Sequence, residues 1–150
     1  MSLVEYILKH YGEYGDVEDT LSLEAGVLVR TDGSPIYWHL PYTRSSVYLP
    51  DSQELWEVIW QNRQDVLGFA HSHPGSGLPR PSMEDLTTFR AIDTALGRPL
   101  LWWITSVDRV VELQKLDWKE KDLSYYLADR PQDQHIEQWL EELREKSKYA

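Results

Sequence analysis

The chain has 150 residues, of which 41% are apolar, and its 15 basic and 25 acidic side chains give a net charge of −10. This length predicts one domain over residues 1–150, and the negative charge argues against general binding to nucleic acid. The absence of cysteine excludes disulfides, thiol catalysis and cysteine-ligated zinc. Because no segment has the pattern of a membrane span or a signal peptide, we predict a cytoplasmic location.

The first elements predicted along the chain are a helix and a β-hairpin. Residues 5–14 have the pattern of a short amphipathic helix, and residues 25–30 form an apolar strand. Residues 32–35 read Asp-Gly-Ser-Pro, which is typical of a turn, so residues 36–40 are predicted to be the hairpin partner.

A second helix is predicted to begin at Asp51. Asp51 and Glu54 resemble a capping box, and apolar residues then recur at helical spacing at Leu55, Trp56, Ile59 and Trp60. Such stripes usually pack in the core, so both tryptophans are predicted to be core residues. The alternative is an exposed aromatic platform for a partner.

Two histidines follow a short buried strand predicted for residues 66–70. Alternate side chains of an extended strand point the same way, so His71 and His73 would face one point. A loop rich in glycine and proline then leads to Ser82 and Asp85 at a helix start, and it can fold Asp85 back onto the histidines. Two histidine nitrogens and one carboxylate leave a fourth tetrahedral position for water, which is the ligand count of a hydrolytic zinc site.

Simpler interpretations of the same residues stay open. Ser82 and Asp85 have the spacing of a helix capping box, which would explain the serine without catalysis. Histidines two residues apart at a strand end can also be surface residues. The combination of both patterns in one segment favours the metal site.

The second half of the chain continues the alternation of helix and strand. Residues 86–96 are predicted to be a helix that ends at Gly97, and residues 100–105 a strand covered on both faces. Residues 110–116 would be the antiparallel neighbour of that strand. Trp102 and Trp103 would point to opposite faces of the sheet.

A last amphipathic helix is predicted for about residues 132–147. Its apolar stripe would pack on the sheet or on a second copy of the protein, and it consists of Ile136, Trp139, Leu140 and Leu143. The alternation as a whole predicts a mixed α/β (α+β) fold.

The segment HSHPGSGLPRPSMED resembles the signature of the JAMM or MPN-plus (JAB domain) metalloproteases, which is a distant glutamate followed by HxHPx(n)PSxxD. The resemblance covers about residues 20–116 and implies a curved mixed sheet flanked by helices, with cytidine-deaminase-like layering. It also implies one zinc ion per chain, bound by His71, His73 and Asp85, with Ser82 assisting at the site. The gap between His73 and Ser82 is one residue longer than in the commonest form of the family.

The distant glutamate of the family corresponds best to Glu24, which would act as general base. Glu24 opens the apolar strand at residues 25–30, although Val27 stands where the family usually has glycine. Glu18 is the fallback. The simpler alternative for Glu24 is a solvent-facing residue at a strand start.

The resemblance implies a zinc-dependent metallopeptidase or isopeptidase that works without a covalent intermediate. Its substrates would be amide bonds at the C-terminus of ubiquitin-like or sulfur-carrier-like proteins, or conjugates of a ubiquitin-like protein with a Gly-Gly tail. The alternatives are a non-catalytic scaffold for protein interaction and an unrelated domain with a fortuitous motif. The remaining histidines have no partner at ligand spacing and are predicted to be surface or structural residues, namely His10, His39 and His135.

Overall fold

The computed structural model describes residues 21–115, 125–129 and 136–148. These residues form a six-stranded mixed sheet in the order β2-β1-β3-β4-β5-β6. Its strands are β1 (Gly26–Arg30), β2 (Pro35–His39), β3 (Val66–Ser72), β4 (Leu101–Thr105), β5 (Val110–Gln114) and β6 (Tyr126–Asp129). Only the β3/β4 pair is parallel. The mixed α/β class is therefore confirmed.

Three helices are present in the described ranges, and none is long and apolar enough to cross a membrane. They are α1 (Gln53–Gln61), α2 (Met83–Leu96) and α3 (Leu140–Lys146). Helix α2 provides the crossover that a parallel strand pair requires, because it connects β3 to β4. The helix predicted for residues 5–14 lies outside the described residues.

The two faces of the sheet have separate apolar cores. On one face, which we call the front face, α1 and α2 pack through Leu55, Ile59, Phe89 and Ile92 against Phe69 and Trp102. On the opposite or rear face, the C-terminal segment packs through Ile136, Trp139 and Leu143 against Val27, Ala70 and Trp103. The predicted opposite orientation of Trp102 and Trp103 is confirmed, and so is the packing of the last helix on the sheet.

The predicted start of α1 and the predicted burial of its tryptophans are wrong. Ser52, and not Asp51, is the N-cap, because its side chain accepts a hydrogen bond from the Leu55 N–H at 3.0 Å. Trp56 and Trp60 are 37% and 54% exposed. Leu55 and Ile59 are the buried residues of α1, and the partly buried Val58 packs against the same core. Each tryptophan follows a buried residue and is rotated from it by about 100° around the helix axis.

The other elements predicted within the described residues are confirmed with shifted bounds. Helix α2 begins at Met83 with Ser82 as its N-cap, which agrees with the helix start predicted at Ser82 and Asp85. It ends as predicted at Gly97, whose φ of 73° is left-handed. Strands β4 and β5 pair antiparallel as predicted. The last helix covers Leu140–Lys146 and begins later than predicted, because residues 137–139 form a turn. Residues 132–135 of the prediction lie outside the described ranges.

Candidate metal centre

The carboxyl end of β3 brings two imidazole rings together on the front face. His71 is buried near the end of the strand, and the N–H of His73 donates to the Thr105 carbonyl of the neighbouring β4 at 2.9 Å. The Nε2 atoms of the two histidines lie 3.0 Å apart. The predicted convergence of the two rings is thus present in the structure.

The first turn of α2 brings Asp85 to both rings. Its Oδ1 lies 3.3 Å from His71 Nε2, and its Oδ2 lies 3.3 Å from His73 Nε2. The Ser82 N–H also donates to Oδ2 at 2.8 Å, and the Asp85 N–H donates to Ser82 Oγ at 3.0 Å. The capping box and the candidate site therefore use the same two side chains.

The Asp85 carboxyl is held in its charged form by these contacts. Burial works to raise the pKa of Asp85, but hydrogen bonds from His71, His73 and the Ser82 backbone together hold that pKa far below its ordinary value. A charged carboxylate is the form that binds a metal ion.

The loop between His73 and Ser82 is anchored to the turn between β4 and β5. The Gly77 N–H donates to Asp108 Oδ1 at 2.8 Å, and the Ser106 hydroxyl donates to the Gly77 carbonyl at 2.5 Å. Gly75 and Gly77 have φ angles of 109° and 86°, which favour glycine. The glycines thus let the loop carry Asp85 back to β3, as the sequence predicted. The residues that anchor this loop, Ser106 and Asp108, were not predicted from the sequence.

Glu24 joins the histidines because β1, which follows it, is the antiparallel neighbour of β3, with Gly26 opposite His71. Single ligand atoms of Glu24, His71 and His73 lie within 4.8 Å of one another. Glu24 is 6% exposed, so the alternative of a solvent-facing residue is wrong. The fallback, Glu18, lies outside the described residues.

The Glu24 side chain is poised to exchange a proton near neutral pH. Burial raises its pKa from 4.5 to about 7; the nearby His73 lowers this pKa, and the negative charge of Asp85 raises it. A carboxyl group with a pKa near the working pH can act both as base and as acid.

The donor set of the site fits a divalent cation. Burial lowers the pKa of His71, which favours the neutral imidazole that serves as a metal ligand. When Nε2 of each ring carries no hydrogen, these two nitrogens, 3.0 Å apart, and the carboxylate oxygens beside them can direct lone pairs to one point. Imidazole and carboxylate are the ligands of catalytic zinc sites. A cavity of about 680 Å³ gives access to the site from the surface, and all five predicted site residues line it.

Of the three remaining histidines, only His39 lies within the described residues, and it agrees with the prediction of a surface or structural histidine. His39 is buried, and its Nε2 lies 2.6 Å from the Pro50 carbonyl oxygen, so it is a structural histidine whose polar atom is satisfied. His10 and His135 lie outside the described residues.

Sequence reasoning missed the residues that hold the Glu24 backbone. The Glu24 N–H donates to the Ser45 carbonyl at 2.8 Å, and Arg44 Nη1 donates to the Glu24 carbonyl at 3.2 Å. No spacing in the sequence connects positions 44 and 45 with position 24, because these contacts depend on how a loop folds over the sheet.

One comparison with known proteins gives a match. The family described as prokaryotic homologs of the JAB domain matches residues 19–140, which is most of the chain and includes all five predicted site residues. A comparison with curated proteins gives no match.

Proposed function

The chain belongs to the family of prokaryotic homologs of the JAB domain, and from this premise we propose that it is a zinc-dependent hydrolase of amide bonds. The observation that carries the proposal is the convergence of two histidine nitrogens, 3.0 Å apart, with the carboxylates of Asp85 and Glu24 at the end of one cavity. This donor set resembles that of hydrolytic zinc sites and contains no cysteine.

The proposal assigns different roles to the two carboxylates. His71, His73 and Asp85 would hold zinc, because Asp85 contacts both histidine rings and keeps its negative charge. Zinc in this site would supply a Lewis acid that polarises the substrate carbonyl and lowers the pKa of a water molecule to about 7.

Glu24 would move the proton in the reaction. Its buried carboxyl has a pKa of about 7, so it can accept a proton from water and donate it to the departing amine. The amine must be protonated to leave, and Glu24 is close enough to the histidine pair to serve both steps.

Ser82 would assist the reaction from the start of α2. Its hydroxyl oxygen already accepts the Asp85 N–H, which leaves the hydroxyl hydrogen to donate to a negatively charged oxygen of the reacting carbonyl. The same serine fixes Asp85 through the capping box.

The proposed substrate is the C-terminal tail of a ubiquitin-like or sulfur-carrier-like protein that ends in Gly-Gly, free or conjugated through an amide bond. An extended glycine tail can approach a buried centre closely because it has no side chains. The cavity is bordered at the surface by Val47, Tyr48 and Met83, which are exposed and apolar enough to contact the residues before such a tail. A purely scaffolding role is disfavoured by the burial of an ionisable Glu24 beside the histidines.

The test begins with metal content. Wild-type protein and the His71→Ala variant are purified without chelator or metal-affinity chromatography, and zinc is measured by elemental mass spectrometry. We expect about one zinc per chain in the wild type and a large loss in the variant. Hydrolysis is then measured with a fluorogenic peptide amide that ends in Gly-Gly and with a Gly-Gly-tailed protein conjugate. A wild type that takes up no supplied zinc would overturn the proposal.

A further inference from the structure

The C-terminal end of α3, the helix on the rear face, contacts the backbone of the residues that precede Glu24. The carbonyl of Ser147, the residue directly after α3, accepts the N–H of Ser22 at 2.8 Å and the N–H of Leu23 at 2.9 Å. The last turn of α3 therefore fixes the two residues that precede Glu24.

A pair of buried serine hydroxyls connects the same helix to the histidine strand. Ser72 lies between the two histidines of β3, so its side chain points to the rear face, and its Oγ accepts the Ala25 N–H at 2.9 Å. Ser147 Oγ lies 2.7 Å from Ser72 Oγ and 2.7 Å from the Leu143 carbonyl. Both serines are fully buried. Ser147 thus contacts the chain on either side of Glu24, directly on one side and through Ser72 on the other.

Arg44 makes a second connection between Glu24 and α3. Its Nη1 donates to the Glu24 carbonyl at 3.2 Å and to the Lys146 carbonyl at 3.0 Å. A charged donor makes a stronger hydrogen bond than a neutral one. The guanidinium group therefore joins the Glu24 main chain to the C-terminal end of the helix.

A further contact joins α3 to the residues that hydrogen-bond the His73 backbone. Arg144 Nε donates to Thr105 Oγ1 and to the Ser106 carbonyl, each at 3.1 Å, and the Thr105 carbonyl accepts the His73 N–H. The helix thus contacts the surroundings of both the glutamate and the histidines, although it packs on the opposite face of the sheet.

We propose that Ser147 and Arg44 are positioning residues for Glu24. They hold residues 21–25 against β3, so that the last turn of α3 determines the distance of the Glu24 carboxylate from the histidine pair. The inference rests on the proposed function, in which Glu24 must lie within hydrogen-bond reach of the proton that it moves. Ser147 lies beyond residues 19–140, so membership in the family does not supply this role.

The test is amide hydrogen exchange of the full-length, zinc-free protein, measured residue by residue by NMR. In Ser147→Ala, exchange of the Ala25 amide should become about tenfold faster, because its acceptor Ser72 Oγ loses the Ser147 hydroxyl that fixes it. The Ser22 and Leu23 amides keep the Ser147 main-chain carbonyl as their acceptor and should change less. Exchange in the middle of β1 should stay unchanged. Glu142→Gln is the matched control on α3, because Glu142 is exposed and contacts Lys146 only at the surface.

Two further measurements separate positioning from general damage. Zinc affinity, measured by competition with a chromogenic chelator, should stay within about threefold of wild type, because the zinc ligands keep their own hydrogen bonds. With the Gly-Gly fluorogenic amide as probe, kcat should fall about tenfold while KM is unchanged, as expected when only transition-state interactions are lost. If Ser147→Ala does not fold, Arg44→Met is measured in the same way, since it removes the donors and keeps the apolar stem.

Unchanged exchange of the Ala25 amide in Ser147→Ala would overturn the inference. Equally fast exchange across the whole sheet would overturn it as well, because that result indicates a general loss of stability. If the wild type binds no zinc and cleaves no probe, the proposed function fails, while the exchange rates still decide whether Ser147 holds the segment.

Discussion

The front and rear faces of the sheet differ in how completely their apolar layers are packed. On the rear face the rings of Trp103 and Trp139 lie 5.2 Å apart and are fully buried. On the front face Phe89 stacks on Trp102 at 4.3 Å, but the apolar layer ends at His71, where the cavity opens. The ionisable groups of the candidate site thus gather where packing is incomplete, and the rear face behind them is filled.

The largest effect, a loss of catalytic activity, is expected when the carboxyl group of Glu24 on the front face is replaced by an amide. Glu24→Gln should lower kcat for a Gly-Gly-tailed probe by about 10²–10⁴-fold, because the amide cannot accept the proton. Zinc content and the melting temperature should not fall, since burial already disfavours the charge of Glu24. Steady-state kinetics and elemental analysis measure both results. Glu57→Gln, on the outside of α1, is the control, and full activity of Glu24→Gln would remove the assignment of Glu24.

Removal of a ring on the rear face should instead reduce stability. Trp139→Ala is expected to lower the free energy of unfolding by about 3–5 kcal/mol, because it leaves a large cavity against Trp103. Urea unfolding of the zinc-free protein measures this change. A loss below about 1 kcal/mol would contradict the described packing of α3 on the sheet.

A buried carboxyl of α2 gives the front face a pH dependence that is separate from the metal site. Burial raises the pKa of Asp93 to about 6, although Oδ1 accepts hydrogen bonds from the Leu100 N–H and from Trp102 Nε1–H. The folded protein therefore binds this proton more tightly than the unfolded chain does. Between pH 4 and pH 6 the contribution of Asp93 to the free energy of unfolding should therefore fall as the pH rises.

Two substitutions separate the charge of Asp93 from its hydrogen bonds. Asp93→Asn keeps the acceptor Oδ1 and should remove a decrease of about 1–3 kcal/mol over this pH range. Asp93→Ala leaves both N–H donors without their partner and should cost about 1–3 kcal/mol at every pH. Urea unfolding at pH 4.5 and pH 7 compares the variants with the wild type. An identical pH dependence in Asp93→Asn and the wild type would refute the raised pKa.

The smallest effect is expected at a tryptophan outside both cores. Trp60 is 54% exposed and contacts the Arg63 guanidinium, 4.3 Å from its ring centroid. Trp60→Ala should therefore change the free energy of unfolding by less than about 1 kcal/mol. Measured beside Trp139→Ala, it compares the same substitution on the surface and in a core. A loss of several kcal/mol would show that Trp60 is packed.

The sequence alone was sufficient to predict those features that depend on neighbouring residues. The period of apolar positions located five of the six described strands and the three described helices, whereas β6 was not predicted. The spacing of His71, His73, Ser82 and Asp85 predicted that these side chains converge. Strand alternation and the geometry of a helix start depend on a few neighbouring residues, so both can be recognised in the amino-acid sequence. The family signature added Glu24, which the structure brings beside the histidines.

Other features were decided only by the tertiary structure. Trp56 and Trp60 lie outside the core, because the position of the helix on the sheet selects which residues are covered. The contacts of Ser147 with Ser22, Leu23 and Ser72 join distant parts of the chain. They have no local pattern, since they exist only after the sheet has brought these residues together. The local sequence therefore determines which groups form the site, and long-range packing determines how firmly they are held.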